Sequence, residues 1–232
     1  MTMIQANLQT VRARIAAACL AAGRDPQAVR LLAVSKTFGP DAVAEAHAAG
    51  QTAFGENYIQ EAVEKMAVLS HLPLEWHCIG PIQSNKTRLV AQHFAWAHTV
   101  DRLKIAQRLS EQRPPELPPL QVCIQVNVDG GPTKSGVVPA EALALARELA
   151  ALPRLRLRGL MCIPEPAPDF VAARAVFMRA KALFDQINSE GLALDTLSMG
   201  MTADLEAAID AGSTLVRVGT AIFGGRSYAS AI

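Results

Sequence analysis

The amino-acid sequence predicts an α/β fold, a single (β/α)8 barrel with an extra helix before its first strand. Eight strand candidates alternate with helical patterns along the 232 residues, and such alternation with right-handed crossovers gives a parallel sheet. No GxGxxG motif follows the first strand candidate, as it would in an open dinucleotide-binding sheet. An open doubly wound sheet is the alternative, but eight strands in about 200 residues favour a closed barrel.

The elements are assigned from short apolar runs and from apolar residues at helical spacing. The strand candidates are residues 31–35, 52–55, 75–79, 95–100, 120–128, 155–162, 194–199 and 214–218. The first helix is predicted over 8–22, and later helices over 41–49, 58–69, 84–94, 101–112, 140–152, 170–190, 202–211 and from 221 onward. The alternation continues through the proline-rich segments 113–119 and 164–168, so we expect residues 1–232 to form one domain.

Composition excludes several classes of partner. The chain is 50% hydrophobic and 19% charged with a net charge of +1, which gives no electrostatic reason to expect nucleic acid or a membrane surface. No signal-peptide pattern and no membrane-spanning apolar segment is visible, so we expect a cytoplasmic protein. The histidines show no HxH or HExxH pattern and the cysteines no CxxC pair. We therefore expect buried reduced thiols and no metal site.

Lys36 directly follows the first strand candidate, where barrels carry their functional residues. An ammonium at the mouth of a buried strand loses water, which favours the neutral, nucleophilic amine. Such an amine can form a Schiff base with an aldehyde, including that of pyridoxal phosphate. The alternative is a lysine whose ammonium simply reaches solvent beyond the strand end.

The loops after strands seven and eight predict a phosphate site, because barrels often bind phosphate there. Ser198 supplies a hydroxyl, Gly200 and Gly219 let the backbone approach closely, and Thr220 adds an N–H and a hydroxyl. The alternative is that the glycines only relieve tight turns. Arg217 lies within an apolar strand and needs a partner there. That partner is either a carboxylate or the ring nitrogen of a pyridoxal, which an arginine would keep unprotonated.

Several ordered motifs make the chain resemble the pyridoxal phosphate homeostasis protein family, the YggS/PROSC-like proteins. They are AVSK at 33–36, FGENY at 54–58, HCIGPIQSNK at 77–86, KSG at 134–136, RGLM at 158–161, SMGM at 198–201 and VRVGTAIFG at 216–224. The resemblance covers the chain from the first strand to near its end. Two mild departures are Cys78, where Phe is common, and Thr202, where Ser is common.

The resemblance implies a barrel similar to the cofactor domain of alanine racemase, with pyridoxal phosphate as a Schiff base on Lys36. It implies that Ser198, Gly219 and Thr220 hold the phosphate, that Arg217 faces the ring nitrogen and that Asn57 lies near the ring. Family members are thought to buffer or deliver the cofactor and to influence amino-acid and keto-acid balance, without an established reaction. Transient contact with enzymes that depend on pyridoxal phosphate would follow from such delivery.

Two enzymatic functions remain as alternatives. A racemase needs a second base, typically a tyrosine from another domain, and this chain has only Tyr58 and Tyr228. A Schiff-base aldolase would use Lys36 as the nucleophile and the phosphate loops for a sugar phosphate. No turnover is expected under the favoured hypothesis. A monomer is expected as well, because a closed barrel leaves no free sheet edge.

Overall fold

The computed structural model describes residues 2–131 and 135–225, and in it eight parallel strands form a closed barrel in the order β1 to β8. The predicted barrel and the extra N-terminal helix are confirmed. The strands are Arg30–Val34, Ala53–Glu56, Glu75–Cys78, Trp96–Val100, Leu120–Gln125, Leu155–Met161, Thr196–Ser198 and Leu215–Val218. Lys134 of the KSG motif and Tyr228 lie outside the described residues.

The helices surround the barrel and are numbered in chain order. Helices α1 to α9 are Met3–Ala21, Pro40–Ala48, Ile59–Val68, Thr87–His93, Leu103–Gln112, Pro139–Ala150, Phe170–Ser189, Leu205–Asp210 and Thr220–Phe223. Among the described residues, no helix is both long enough and apolar enough to cross a membrane.

Helix α1 covers the outside of the barrel where the first and last strands meet. Its buried residues recur every three or four positions, among them Leu8, Val11 and Ile15, and the helix packs against α2, α8 and α9. The Asn7 side-chain amide donates to the Ile222 carbonyl (2.9 Å), which ties α1 to α9. The extra helix therefore protects the seam at which the sheet closes.

The register at this seam places three strand ends side by side. Ala33 of β1 pairs with Val218 of β8 and with Phe54 of β2. Because the strands are parallel, the residues that follow them emerge at one face of the barrel, its carboxyl-terminal face. Lys36 and Gly219 follow β1 and β8 there. The fold thus brings together two of the regions that the sequence predicts as functional.

Strand β5 and helix α8 are among the elements that are shorter than predicted, and local hydrogen bonds explain these two. Strand β5 ends at Gln125 because the backbone beyond it folds onto Val137, whose N–H donates to the Gln125 carbonyl (2.9 Å). Helix α8 begins at Leu205, because the Asp204 carboxylate accepts the Met201 N–H (2.6 Å) and holds that stretch as a turn. Side-chain capping of a turn competes with helix formation in this way.

Strand packing predicts a severe effect of Gly159→Ala. A Cβ at Gly159 would overlap the Thr196 carbonyl oxygen of β7, so β6 and β7 would have to separate. We expect the free energy of unfolding in urea to fall by about 3 kcal/mol or more, since backbone cannot move aside as a side chain can. Gly39→Ala is the matched control, because its Cβ meets nothing within 4 Å. Equal stability of the two variants would contradict this packing.

Candidate functional site

Lys36 lies just beyond β1, in a tight turn at the carboxyl-terminal face. The Ser35 N–H donates to the Gly55 carbonyl (3.0 Å), so the chain is still held to β2 one residue before the lysine. Thr37, the next residue, has a φ of 68°, a left-handed conformation that residues other than glycine seldom adopt. The chain therefore turns sharply at Lys36, whose side chain is half-buried.

A buried ion pair holds the residue before this turn in place. No sequence motif indicated this pair. The Lys65 ammonium of α3 donates to Glu56 Oε1 (2.5 Å) and to the Ser35 carbonyl (3.0 Å). The Ser35 hydroxyl donates to the same carboxylate oxygen (2.6 Å). Only 8% of the Lys65 side chain and 1% of the Glu56 side chain are exposed. The pair fixes the residue before Lys36 through both its backbone and its side chain.

Asn57 follows β2 at the same face and has an unsatisfied acceptor. Its Oδ1 is buried and has no hydrogen-bond partner among the described residues. The backbone of Asn57 rests on Gly80, where a Cβ would overlap the Asn57 carbonyl oxygen. Glycine after β3 thus lets the two loops touch. A buried amide oxygen without a partner is costly, so this atom is suited to receive a donor from a ligand.

The loop after β7 is hydrogen-bonded to β8, and the loop after β8 packs against β1. Gly200 has a φ of 97°, and a Cβ there would lie 2.5 Å from the Ala208 Cβ. Its carbonyl accepts the Arg217 N–H (2.9 Å). At Gly219 a Cβ would lie 3.1 Å from the Val34 carbonyl oxygen, and Thr220 begins α9 directly after it. The predicted phosphate residues Gly200, Gly219 and Thr220 are therefore in neighbouring loops, with Gly219 packed against the strand that leads to Lys36.

Arg217 is buried inside the barrel, and its partners are oxygens without a formal charge. Nη1 donates to the Ser198 carbonyl and hydroxyl (2.7 Å each), and Nη2 donates to the Cys162 carbonyl (2.9 Å). Within the described residues no carboxylate forms an ion pair with it, so the salt-bridge alternative is not what the structure contains. Burial lowers the pKa of Arg217 from its ordinary value. One Nη2–H and the Nε–H have no partner in that part of the chain.

The Ser198 hydroxyl points into the barrel. It is fully buried and lies 2.8 Å from His98 Nδ1 as well as 2.7 Å from Arg217 Nη1. Side chains alternate along a strand, and the last residue of β7 faces inward. Its role as a phosphate ligand stays a prediction, with the hydroxyl already bound to two side chains.

Two buried histidines extend this arrangement through the barrel. The sequence suggested that His77 lies on a strand and could border the pocket, and His77 does lie on β3. It suggested a helix or the surface for His98, which is wrong, because His98 lies fully buried on β4. His77 Nδ1 lies 2.8 Å from His98 Nε2, and His77 Nε2 lies 2.6 Å from Glu75 Oε1. Burial lowers the pKa of His77 to about 4 and the pKa of His98 well below its ordinary value. Glu75 and His77 are two residues apart on one strand, a spacing that puts both side chains on the same face.

Two cavities open at the carboxyl-terminal face. Along the strand order they lie on either side of β1 and β8, the strands that precede Lys36 and Gly219. One of about 510 Å³ is lined by residues after β2 and β3, including Asn57, Tyr58 and Lys86. The other, of about 480 Å³, is lined by residues after β6 and β7, including Pro166 and Met201. Both lie where parallel barrels bind small molecules.

The closed parallel barrel places this chain in a class of domains that a family model identifies. The family model described as alanine racemase, N-terminal domain, matches residues 3–227. Alanine racemase of Clostridium difficile shares the fold, with a TM-score of 0.75, 16% identity, and coverage of 99% of this chain and 58% of that one.

Closer relatives define the particular family. A pyridoxal phosphate homeostasis protein of Pseudomonas aeruginosa is 61% identical over 228 residues, and one of Escherichia coli is 54% identical over 231 residues. The matches cover 98% of this chain and at least 98% of each relative. The solved structure of PipY from Synechococcus elongatus with PLP bound has a TM-score of 0.83 at 37% identity, covering 95% of this chain and 100% of that one. The chain belongs to the pyridoxal phosphate homeostasis protein family.

The Glu56–Lys65 pair predicts a large effect of Lys65→Met. This change leaves the Glu56 carboxylate buried without a counter-charge, so we expect the free energy of unfolding to fall by about 3–5 kcal/mol. The double variant Glu56→Gln/Lys65→Met should recover most of the loss in urea titrations. Lys181→Met, at the exposed pair with Asp185, is the surface control. A double variant as unstable as the single one would show that the loss comes from packing alone.

The buried histidines predict a loss of stability in mild acid. The pKa of His77 is lowered from 6.5 to about 4 in the folded protein. Between these two pH values the unfolded chain therefore binds a proton at this histidine that the folded chain does not. Each such histidine lowers the free energy of unfolding by up to about 1.4 kcal/mol per pH unit as the pH falls. His98→Gln should therefore flatten this dependence, measured by urea titration between pH 6.5 and pH 4.5. Identical slopes would contradict neutral burial of His98.

Proposed function

We propose that this protein binds pyridoxal 5'-phosphate, carries it as a Schiff base on Lys36, and acts in pyridoxal phosphate homeostasis. It would buffer or deliver the cofactor, with indirect effects on amino-acid and keto-acid balance. The observation that carries the proposal is the position of Lys36 beyond β1, two residues after Val34, which packs against Gly219 of the β8 loop, in a chain of this family. The names of its relatives and the PLP bound in PipY support it.

The residues present fit such a cofactor. The Asn57 Oδ1 is a buried acceptor without a described partner, and Arg217 has two N–H groups without one. Closely packed glycine loops offer backbone N–H groups of the kind that bind phosphate. Donors and acceptors thus converge on the face that carries Lys36.

Each residue would contribute a separate part of binding. The Lys36 Nζ would hold the cofactor covalently, while Gly200, Gly219 and Thr220 would bind the phosphate through N–H and hydroxyl groups. The Ser198 hydroxyl would either bind the phosphate or, if it keeps its present hydrogen bonds, hold the Arg217 side chain in place. Pyridoxal phosphate supplies an aldehyde that combines reversibly with amines. An arginine at the ring nitrogen, rather than a carboxylate, withholds the proton that most such chemistry needs.

We further propose a carrier without turnover of its own, composed of one domain and working as a monomer in the cytoplasm. Racemization needs a second base opposite the lysine, and Tyr58, the tyrosine within the described residues, is half exposed beyond β2. Barrel closure through β1 and β8 supports the monomer, because it pairs the strands that would otherwise be edges. Contacts with enzymes that receive the cofactor would be transient.

Covalent binding is tested by Lys36→Ala. We expect the wild-type protein incubated with pyridoxal phosphate to absorb visible light and, after borohydride reduction, to carry a pyridoxyl mass on the peptide containing Lys36. The variant should lose both signals, and Lys181→Ala, a surface control, should keep them. A colourless wild-type protein, or a pyridoxyl group on another lysine, would contradict the proposal.

The absence of turnover is tested by solvent-deuterium exchange. Loaded protein incubated with alanine in deuterium oxide should show no more exchange at Cα than Lys36→Ala, measured by mass spectrometry. Exchange that depends on Lys36 would instead indicate racemase-type chemistry. Borohydride trapping of a sugar phosphate on cofactor-free protein would indicate the aldolase alternative.

A further inference from the structure

A continuous chain of side chains crosses the barrel interior from its amino-terminal face to the candidate site. It consists of Glu75, His77, His98, Ser198 and Arg217, joined by contacts of 2.6 to 2.8 Å. The residues come from four strands, β3, β4, β7 and β8. Glu75 is the first residue of β3, whereas Ser198 is the last residue of β7. We call this set the interior chain.

The donors and acceptors of the interior chain can be assigned from either end. Glu75 is ionised, with a pKa lowered to about 2, so His77 Nε2 donates to it. His77 is neutral, so its Nδ1 accepts from His98 Nε2, and neutral His98 in turn accepts the Ser198 proton. From the other end, Arg217 can only donate, so Ser198 accepts from it and passes its own proton on. Both assignments give one direction, from the guanidinium to the carboxylate.

Neighbouring side chains fix the interior chain in place. The His77 ring stacks on Trp96 at 5.2 Å with an interplanar angle of 7°. Arg30 pairs with Glu75 at 2.7 Å, at the end where that carboxylate is partly exposed. Arg158 lies over Trp96 at 4.7 Å. Ring flips that would reverse the hydrogen bonds are therefore hindered.

The stability of the fold does not require the interior chain. The interior of an eight-stranded barrel is ordinarily filled by branched apolar residues, and replacing buried polar groups by apolar ones of the same shape is often neutral or stabilising. The interior chain ends at a guanidinium that still has two N–H groups without a described partner. Its effect is to prevent the Ser198 hydroxyl from rotating away from Arg217.

We propose that Glu75, His77 and His98 are positioning residues for the cofactor, which act through Ser198 to hold the Arg217 guanidinium in one orientation at the candidate site. The inference rests on the proposed function, since it requires a cofactor ring at Arg217. Its consequence is that residues on the far side of the barrel control the environment of the ring.

His98 is the best position for a test, because one ring nitrogen accepts from Ser198 and the other donates to His77. Glutamine also offers one acceptor and one donor at similar spacing, so His98→Gln preserves the direction of the chain. His98→Met has a similar size, but its thioether accepts only weakly from Ser198 and cannot donate to His77. His93→Gln, on the exposed side of α4, is the control. Urea titration establishes that each variant is folded.

The readouts are the visible absorption maximum of the loaded protein and the rate at which bound cofactor leaves after dilution. We expect Arg217→Gln to shift the maximum, and His98→Met to shift it in the same direction with release faster by roughly tenfold, the effect of one lost hydrogen bond. His98→Gln should stay within about twofold of wild type. Adding His98→Met to Arg217→Gln should change release by less than about twofold, since the two act as a unit.

The outcomes separate this inference from the function on which it rests. Wild-type protein that takes up no cofactor would overturn both. Normal binding by wild type, with a wild-type spectrum and release rate in folded His98→Met, would overturn only the positioning role. Full additivity of His98→Met and Arg217→Gln would also overturn it, because the histidine would then act by another route.

Discussion

The buried guanidinium of Arg217 is the group around which the strand ends at the carboxyl-terminal face are arranged. A charge in that interior must be compensated by fixed dipoles when no carboxylate is near. Two backbone carbonyls, from the ends of β6 and β7, and one hydroxyl supply this compensation. Because those oxygens belong to different strands, the guanidinium also sets how the strand ends converge. The positions of the loops that follow these strands depend on this arrangement.

The candidate site is held by two buried polar networks of different kinds. On the β1–β2 side, Glu56 and Lys65 form a buried ion pair that holds Ser35 and hence the start of the turn at Lys36. On the β8 side, the interior chain ends at Arg217, which pairs with Leu32 of β1 in the sheet. Both networks are fully buried over most of their length, where an incomplete set of hydrogen bonds would be costly. The lysine therefore sits on a rigid base.

The sequence allowed the barrel, its strand order and the N-terminal helix to be predicted, because apolar periodicity is local. It also indicated that Arg217 needs a partner, but the nature of that partner depends on which strand ends face it. Lys65 was missed because a lysine on an amphipathic helix normally faces solvent. The contact between His77 and His98 depends on the β3–β4 register, which places Trp96 opposite His77. The shortened end of β5 depends on backbone hydrogen bonds with Val137, and the late start of α8 depends on one bond from Met201 to the Asp204 carboxylate.

Closure of the sheet has a consequence for synthesis on the ribosome. Strand β1 emerges early but finds its second neighbour, β8, only after nearly all of the described chain has been made. Until then, β1 presents an open edge that can pair with other chains, and contacts so distant in sequence form slowly. The lysine turn and the glycine loop beside it thus come together in the final stage of assembly. A nascent chain that stalls before β8 would leave this edge of β1 unpaired.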